Sequence, residues 1–190
     1  MSAADQAKWE ARWRARAGEP GAVEPFLMRE ASSWSSGRVL DVASGDGRNA
    51  LWLATQGFAV TAIDISASAV ATLQSTAAAR AVAIATRVVD LDMPRPLTGL
   101  GPFDAAVVLR YRPSAPQWAA IIATLAPGGQ VLLCSFGWAQ HERHGFPLAF
   151  CVERHAMQAE LGTLLQLERW TSFEQGADFL EGSVWSKPSS

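Results

Sequence analysis

A chain of 190 residues with a formal net charge of -2, from 16 basic and 18 acidic side chains, suits one α/β domain. It lacks the cationic surplus that nucleic acid or an anionic membrane demands of a partner. Its two cysteines, Cys134 and Cys151, make neither a Cys-x-x-Cys pair nor a disulfide framework, so a reducing, cytoplasmic setting is expected. Met1 to Lys8 hold no apolar signal core, and no stretch nears the ~18 uninterrupted apolar residues of a membrane span.

Taken in chain order, Trp9 and Trp13 recur at i, i+4 while Lys8, Arg12 and Arg16 line another face. This predicts a helix over Asp5 to Arg16, ended by Gly18, Pro20, Gly21 and Pro25. Residues 1–36 are therefore expected to form a helical lid or extension, and residues 37–190 the main domain. Arg38 to Val42 reads as a strand, followed by a glycine-rich turn and a helix from Asn49 to Gln56 that Gly57 caps. A second strand, Ala59 to Ile63, ends at Asp64, and Ser66 is placed to cap an alanine-rich helix ending near Arg80. Ala83 to Val89 makes a third strand ending at Asp90, Phe103 to Leu109 a fourth, and Pro116 to Leu125 a helix. The turn Pro127-Gly128-Gly129 leads into a fifth strand, Gln130 to Ser135. Beyond Phe136 the pattern loosens into a long loop with aromatics and histidines, then a helix from Val152 to Leu161 stopped by Gly162. Leu164 to Ser172 and Phe179 to Trp185, joined by a short link, are expected to pair as an antiparallel hairpin. Apolar strands alternating with helices predict a seven-stranded, mostly parallel sheet with helices on both faces and this hairpin at its C-terminal edge.

The chemistry concentrates at strand ends. Asp41-Val42-Ala43-Ser44-Gly45-Asp46-Gly47-Arg48-Asn49-Ala50 joins a strand to a helix; its glycines allow close backbone approach, and the helix start offers partial positive charge. Asp64, at the next strand end, can accept from both hydroxyls of a ribose, and Asp90, one strand further, can cap an exocyclic amine of a base. Gly45-x-Gly47-x-x-Ala50 also fits the loose dinucleotide fingerprint. Asp41 separates the two ligands: it would face a pyrophosphate unfavourably, whereas S-adenosylmethionine (SAM) carries an ammonium and a sulfonium that a carboxylate stabilises. The reversed terminal hairpin favours SAM as well.

The segments Val39 to Ala54, with Gly57 and Val60-Thr61-Ala62-Ile63-Asp64-Ile65-Ser66, resemble the class I SAM-dependent methyltransferases related to tellurite-resistance and thiopurine methyltransferases. Leu125-Ala126-Pro127-Gly128-Gly129 is similar to a turn of the same class, so the likeness spans roughly Val39 to Phe150. The resemblance implies a Rossmann-like class I fold with SAM as cofactor and S-adenosylhomocysteine as product. It implies that Asp41, Gly45 and Gly47 hold the methionine part, Asp64 the ribose, and Asp90 with Leu91 the adenine. Ala43, Ser44 and Ile65 line the same site, with Arg48 and Asn49 at the mouth of the loop. Ala43 stands where many relatives have glycine and Ser44 where many have cysteine; both are small enough to keep the loop.

Methyl transfer is an in-line displacement, so the protein must chiefly align the nucleophile and exclude water. Soft acceptors such as thiols or chalcogen compounds need only positioning and are favoured; hydroxyls and amines usually need a base. The residues just past the fourth strand, Arg110, Tyr111 and Arg112, are placed where the acceptor meets the methyl group. Arg110 is a candidate for both cofactor and acceptor contact. Trp138, His141, His144, Phe146 and Phe150 are expected to wall the acceptor pocket and shield the sulfonium, with His141 or His144 as a candidate base. His141-Glu142-Arg143-His144 lacks the i, i+4 histidine spacing of the zinc signature, so no metal is expected. Tellurite-type relatives carry a His/Arg pair near their last strands, and Thr171 to Phe179 offers Glu174 and Asp178 instead, which argues against an oxyanion acceptor. The expected partner is a small molecule, with the protein a monomer or weak homodimer. The alternatives are a SAM-binding protein without turnover and an NAD-dependent oxidoreductase.

Overall fold

The computed structural model describes residues 3–16 and 20–189. Gly18, expected to break the first helix, lies outside the described residues. The elements run α1 (Ala3–Ala15), α2 (Pro25–Ala31), β1 (Arg38–Val42), α3 (Arg48–Thr55), β2 (Ala59–Asp64), α4 (Ala67–Ala79) and β3 (Ala85–Val88). They continue with β4 (Phe103–Leu109), α5 (Ala115–Ala123), β5 (Leu125–Phe136), α6 (Trp138–His144), α7 (Arg154–Leu161), β6 (Gln166–Gln175) and β7 (Asp178–Ser186).

One seven-stranded sheet has the order β3-β2-β1-β4-β5-β7-β6. The first five strands are parallel, and β7 pairs antiparallel with both β5 and β6. This is the expected Rossmann-like class I methyltransferase fold. The period of two sorts each strand's side chains to opposite faces. Val39, Val107 and Leu132 pack with Leu51 and Leu53 of α3 and Leu73 of α4. Their neighbours Leu40, Val108 and Leu133 pack on the other face with Trp118 and Ile121 of α5 and Leu161 of α7. The strand order reverses at β1 and β4, so their C-terminal ends open the crevice where such sheets bind ligands.

Three departures from expectation have local causes. Pro25, read as a breaker, stands at the start of α2, where its missing N–H costs nothing, and Phe26 and Leu27 behind it are buried in the core. Burying those two side chains contributes about 1.5–3 kcal/mol each. The long loop expected after Phe136 contains α6, held because the Gln140 side chain accepts the Phe179 N–H at 2.8 Å and Gly145, at φ 64°, ends it. Pro127-Gly128-Gly129 is absorbed into β5, where Gly128 at φ 76° lets the strand bend and its N–H donates to the Lys187 carbonyl at 3.0 Å. Among the described residues no helix is long and apolar enough to cross a membrane.

Candidate cofactor and acceptor site

The loop from Ala43 to Gly47 turns the chain from β1 into α3 through three left-handed positions, Ala43 (φ 55°), Gly45 (φ 57°) and Gly47 (φ 80°). Ala43 keeps this conformation as a non-glycine residue, at a cost of about 1–3 kcal/mol of backbone strain. The glycines are demanded by their neighbours as well. A side chain at Gly45 would strike the Trp13 indole and one at Gly47 would strike Leu73. Gly45 N–H donates to Asp64 Oδ2 at 2.8 Å, and Asp64 Oδ1 accepts the Ser66 N–H at 2.9 Å, so the loop is braced on the carboxylate expected to meet a ribose. Each of those oxygens keeps a further lone pair for a hydroxyl donor.

Asp41 is the unusual group. It is 1% exposed, Oδ2 has no hydrogen-bond partner, and the neighbouring Ser44 Oγ has none either. Burial first, and then the charge of Asp64, push the Asp41 carboxyl up to about 8, against a partial pull from Arg48. Asp64 is raised as well, by burial first. A buried carboxylate oxygen without a donor, beside a second carboxylate, is suited to a cation or a cation's bridging water. The residues therefore fit the ammonium and sulfonium of SAM and fit a pyrophosphate poorly. At the third strand end, Asp90 Oδ1 accepts the Asp92 N–H at 2.9 Å and so opens a turn, while Leu91 is buried in the core. Ile65, between Asp64 and Ser66, is buried beside them.

Helix α1 docks over this crevice. Glu10 accepts from the Ser66 hydroxyl at 2.7 Å, from the Ser68 N–H at 3.2 Å and from the Ser68 hydroxyl, at the N-terminus of α4. These donors, the Ser68 hydroxyl foremost, hold its carboxyl down to about 2. Three residues further on, Trp13 lies on Gly45.

On the other side of the loop, Arg110 begins the segment past β4 in a left-handed conformation, φ 59°. Its Nε donates to Glu24 Oε2 at 2.9 Å and its Nη1 to Asp178 Oδ2 at 2.5 Å, and its guanidinium lies over the Phe136 ring. Burial lowers the affinity of this guanidinium for its proton, and Asp178 and Glu24 more than reverse that, leaving it above its ordinary value. Arg48 reaches the same Glu24 oxygen at 3.7 Å, while Asn49 Oδ1 accepts the Glu24 N–H at 3.0 Å. Arg112 pairs with Glu160. Tyr111 donates to Gln117 Oε1 at 2.8 Å, and burial pushes its phenol up to about 12, so it stays neutral.

The Phe136 and Phe146 rings lie 4.2 Å apart and Phe150 is edge-on to Phe146, while Trp138 and Phe150 are largely exposed. His144 stacks on Phe179. His141, expected on a loop, sits on α6 with Nδ1 2.8 Å from the Phe146 carbonyl, which makes Nδ1 the protonated nitrogen. Sequence reasoning missed Glu24 and Glu10. Glu24 was hidden among turn residues and its arginine lies 86 positions away; Glu10 sits on a helix face with no spacing signal toward the serines of α4.

Residues 39–129 match the family model described as a methyltransferase domain. No curated protein matches the chain. Among solved structures, one from work on the conversion of a disulfide bond into a thioacetal group during echinomycin biosynthesis is similar, with a TM-score of 0.79 and 19% identity. It covers 97% of this chain and 93% of its own. The N-methyltransferase NodS from Bradyrhizobium japonicum WM9 is similar at a TM-score of 0.70 and 20% identity over 97% of both chains. TehB from Haemophilus influenzae is similar at 0.71 and 15%, over 95% of this chain and 67% of its own. The match runs from β1 to the turn inside β5, so this stretch is similar to a methyltransferase domain, and the sheet with this strand order has the class I methyltransferase fold.

Proposed function

We propose that the protein transfers the methyl group of SAM to a small-molecule acceptor and releases S-adenosylhomocysteine. The observation that carries this is Asp41, a carboxylate sealed beneath the glycine loop with an oxygen that lacks a donor. Asp41, Ala43, Ser44, Gly45 and Gly47 hold the methionine end in this reading, with Arg48 and Asn49 at the loop's mouth. Asp64 holds the ribose, and Ile65, Asp90 and Leu91 the adenine. Bound there, SAM supplies an electrophilic methyl on a sulfonium. The chain's own residues exclude water and aim the acceptor: the first helix covers the crevice as a lid, and Phe136, Phe146 and their neighbours wall the far side. The S-adenosylhomocysteine in the NodS structure supports the same ligand here.

The acceptor is held between the segment past β4 and α6. Tyr111 serves as a positioning group, since its phenol stays neutral, while His141, with Nδ1–H committed to a carbonyl, presents Nε2 as its acceptor nitrogen. A soft nucleophile, which needs only positioning, and a neutral amine, which brings its own lone pair, are both compatible with the site. An anionic one is disfavoured, because Arg48, Arg110 and Arg112 each face a carboxylate already.

Titration calorimetry with S-adenosylhomocysteine tests the reading directly. Asp64→Ala is expected to weaken binding by about 1.5–3 kcal/mol, the range for hydrogen bonds to a charged group. An unchanged dissociation constant would place the ribose elsewhere. Binding of NADH without binding of S-adenosylhomocysteine would make the chain an oxidoreductase. Tight binding with no turnover on any acceptor would leave a SAM-binding protein.

A further inference from the structure

We propose that Glu24 is the acceptor-recognising group, and that the acceptor is an amine on an apolar, planar body. The proposal rests on the methyl-transfer reading above. Glu24 is 1% exposed and precedes α2, between the glycine loop and the end of β4. Both arginines that approach it, Arg110 at 2.9 Å and Arg48 at 3.7 Å, sit on the same oxygen, Oε2. The other, Oε1, is sealed from solvent with no donor. An unpaired buried carboxylate oxygen is costly, so the site is built to be completed by a donor.

The cations on this side of the crevice cannot serve an anionic acceptor without giving up a carboxylate. Arg110 is held by Glu24 and Asp178, and Arg112 by Glu160. What remains uncommitted is a hydrogen-bond acceptor, next to the Phe136 ring over which Arg110 lies and the Phe146 ring packed on it. A ligand with an N–H and a flat apolar body satisfies both.

The chemistry follows the charge. The amine reacts as its free base, donating one N–H to Glu24 Oε1 and keeping its lone pair for the methyl carbon. As the N–C bond forms, the C–S bond breaks and its electron pair stays on sulfur, giving neutral S-adenosylhomocysteine. Positive charge moves from sulfur to nitrogen, toward the carboxylate, and the N-methylammonium then gives its extra proton to water. Glu24 is thus worth more as nitrogen becomes cationic than in the ground state, which is the condition for accelerating the step without a general base.

The test uses the full chain with SAM and matched probes: benzylamine, 2-phenylethylamine and tryptamine against phenylmethanethiol, thiophenol and tellurite. Methylation of one or more amines, and not of the thiols or tellurite, is expected. Glu24→Gln is expected to keep S-adenosylhomocysteine affinity within about twofold and to lower kcat/KM for the amine by about a hundredfold. Glu24→Asp, which keeps the charge and the fold, is expected to recover part of that loss. Turnover of thiols or tellurite alone, or of no amine, overturns the assignment, and S-adenosylhomocysteine binding then leaves the methyl-transfer reading standing. Loss of S-adenosylhomocysteine affinity in both variants overturns it too, by placing Glu24 in the cofactor site. Absence of S-adenosylhomocysteine binding by the unaltered protein overturns the methyl-transfer reading itself.

Discussion

Asp41 illustrates how a single side chain sets stability against function. Its carboxyl, pushed up to about 8 from an ordinary 3.8, binds its proton more tightly when the chain is folded than when it is unfolded. The stability it contributes without ligand is therefore complete below its ordinary value and lost as pH rises through about 8. Asp41→Asn removes the charge while keeping the shape. It is expected to raise the melting temperature of the ligand-free protein at about pH 9 and to change it little at about pH 4. The same substitution should weaken S-adenosylhomocysteine binding, because the ammonium loses its counter-charge. Entry of that cation also expels the Asp41 proton, so binding enthalpy at neutral pH should vary with the ionisation enthalpy of the buffer. Calorimetry in two buffers checks this, and buffer-independent heat would mean that Asp41 is already ionised.

At the scale of elements, α2 packs closely on the reversed hairpin. Gly182 of β7 lies directly under Phe26, whose ring a side chain at that position would meet at 2.2 Å. Gly182→Ala should destabilise the fold by about 1–3 kcal/mol through overpacking. Combining it with Phe26→Leu should recover part of the loss, a coupling that a double-mutant cycle by chemical denaturation measures. Additive effects would show that the two residues do not meet. Phe26 marks where the sequence stopped being legible. Strands β1, β2, β4 and β5 were readable because each is largely buried and so prints an apolar run between turn residues, whereas β3 at the sheet's edge is mostly exposed. Asp41, Asp64 and the glycine loop were readable because strand ends fix their place. Helices α2 and α6 were not, because each is seven residues long and depends on a distant partner, Phe173 beneath Phe26 and the Phe179 N–H on Gln140. The Arg110, Glu24 and Asp178 cluster was unreadable for the same reason: its members come from three regions that only the finished sheet unites.

For the molecule as a whole, the leading segment divides into two parts with different attachments. Helix α1 is held by Glu10 on α4 and Trp13 on Gly45, contacts that leave the sheet's core intact when removed. Helix α2 is core, with Leu27 fully buried. Removing residues 1–16 is therefore expected to leave a cooperatively folded protein and, if α1 closes over the ligand as proposed, to weaken S-adenosylhomocysteine binding. Removing residues 1–31 should abolish the folded state. Circular dichroism melts and calorimetry on the two truncations decide this; equal ligand affinity after the shorter cut would show that α1 does not cover the ligand.

The position of β7 inside the sheet rather than at its margin also constrains how the chain can be made. β5 finds its antiparallel neighbour only when Asp178 to Ser186 have been synthesised, from Phe136 against Leu180 to Gln130 against Ser186. Until those residues leave the ribosome, β5 presents an unpaired and largely apolar margin, and β6 has nothing to lie against. A nascent chain stalled before that point should stick to itself and to chaperones, whereas the crevice between β1 and β4 has all its strands well before the hairpin exists.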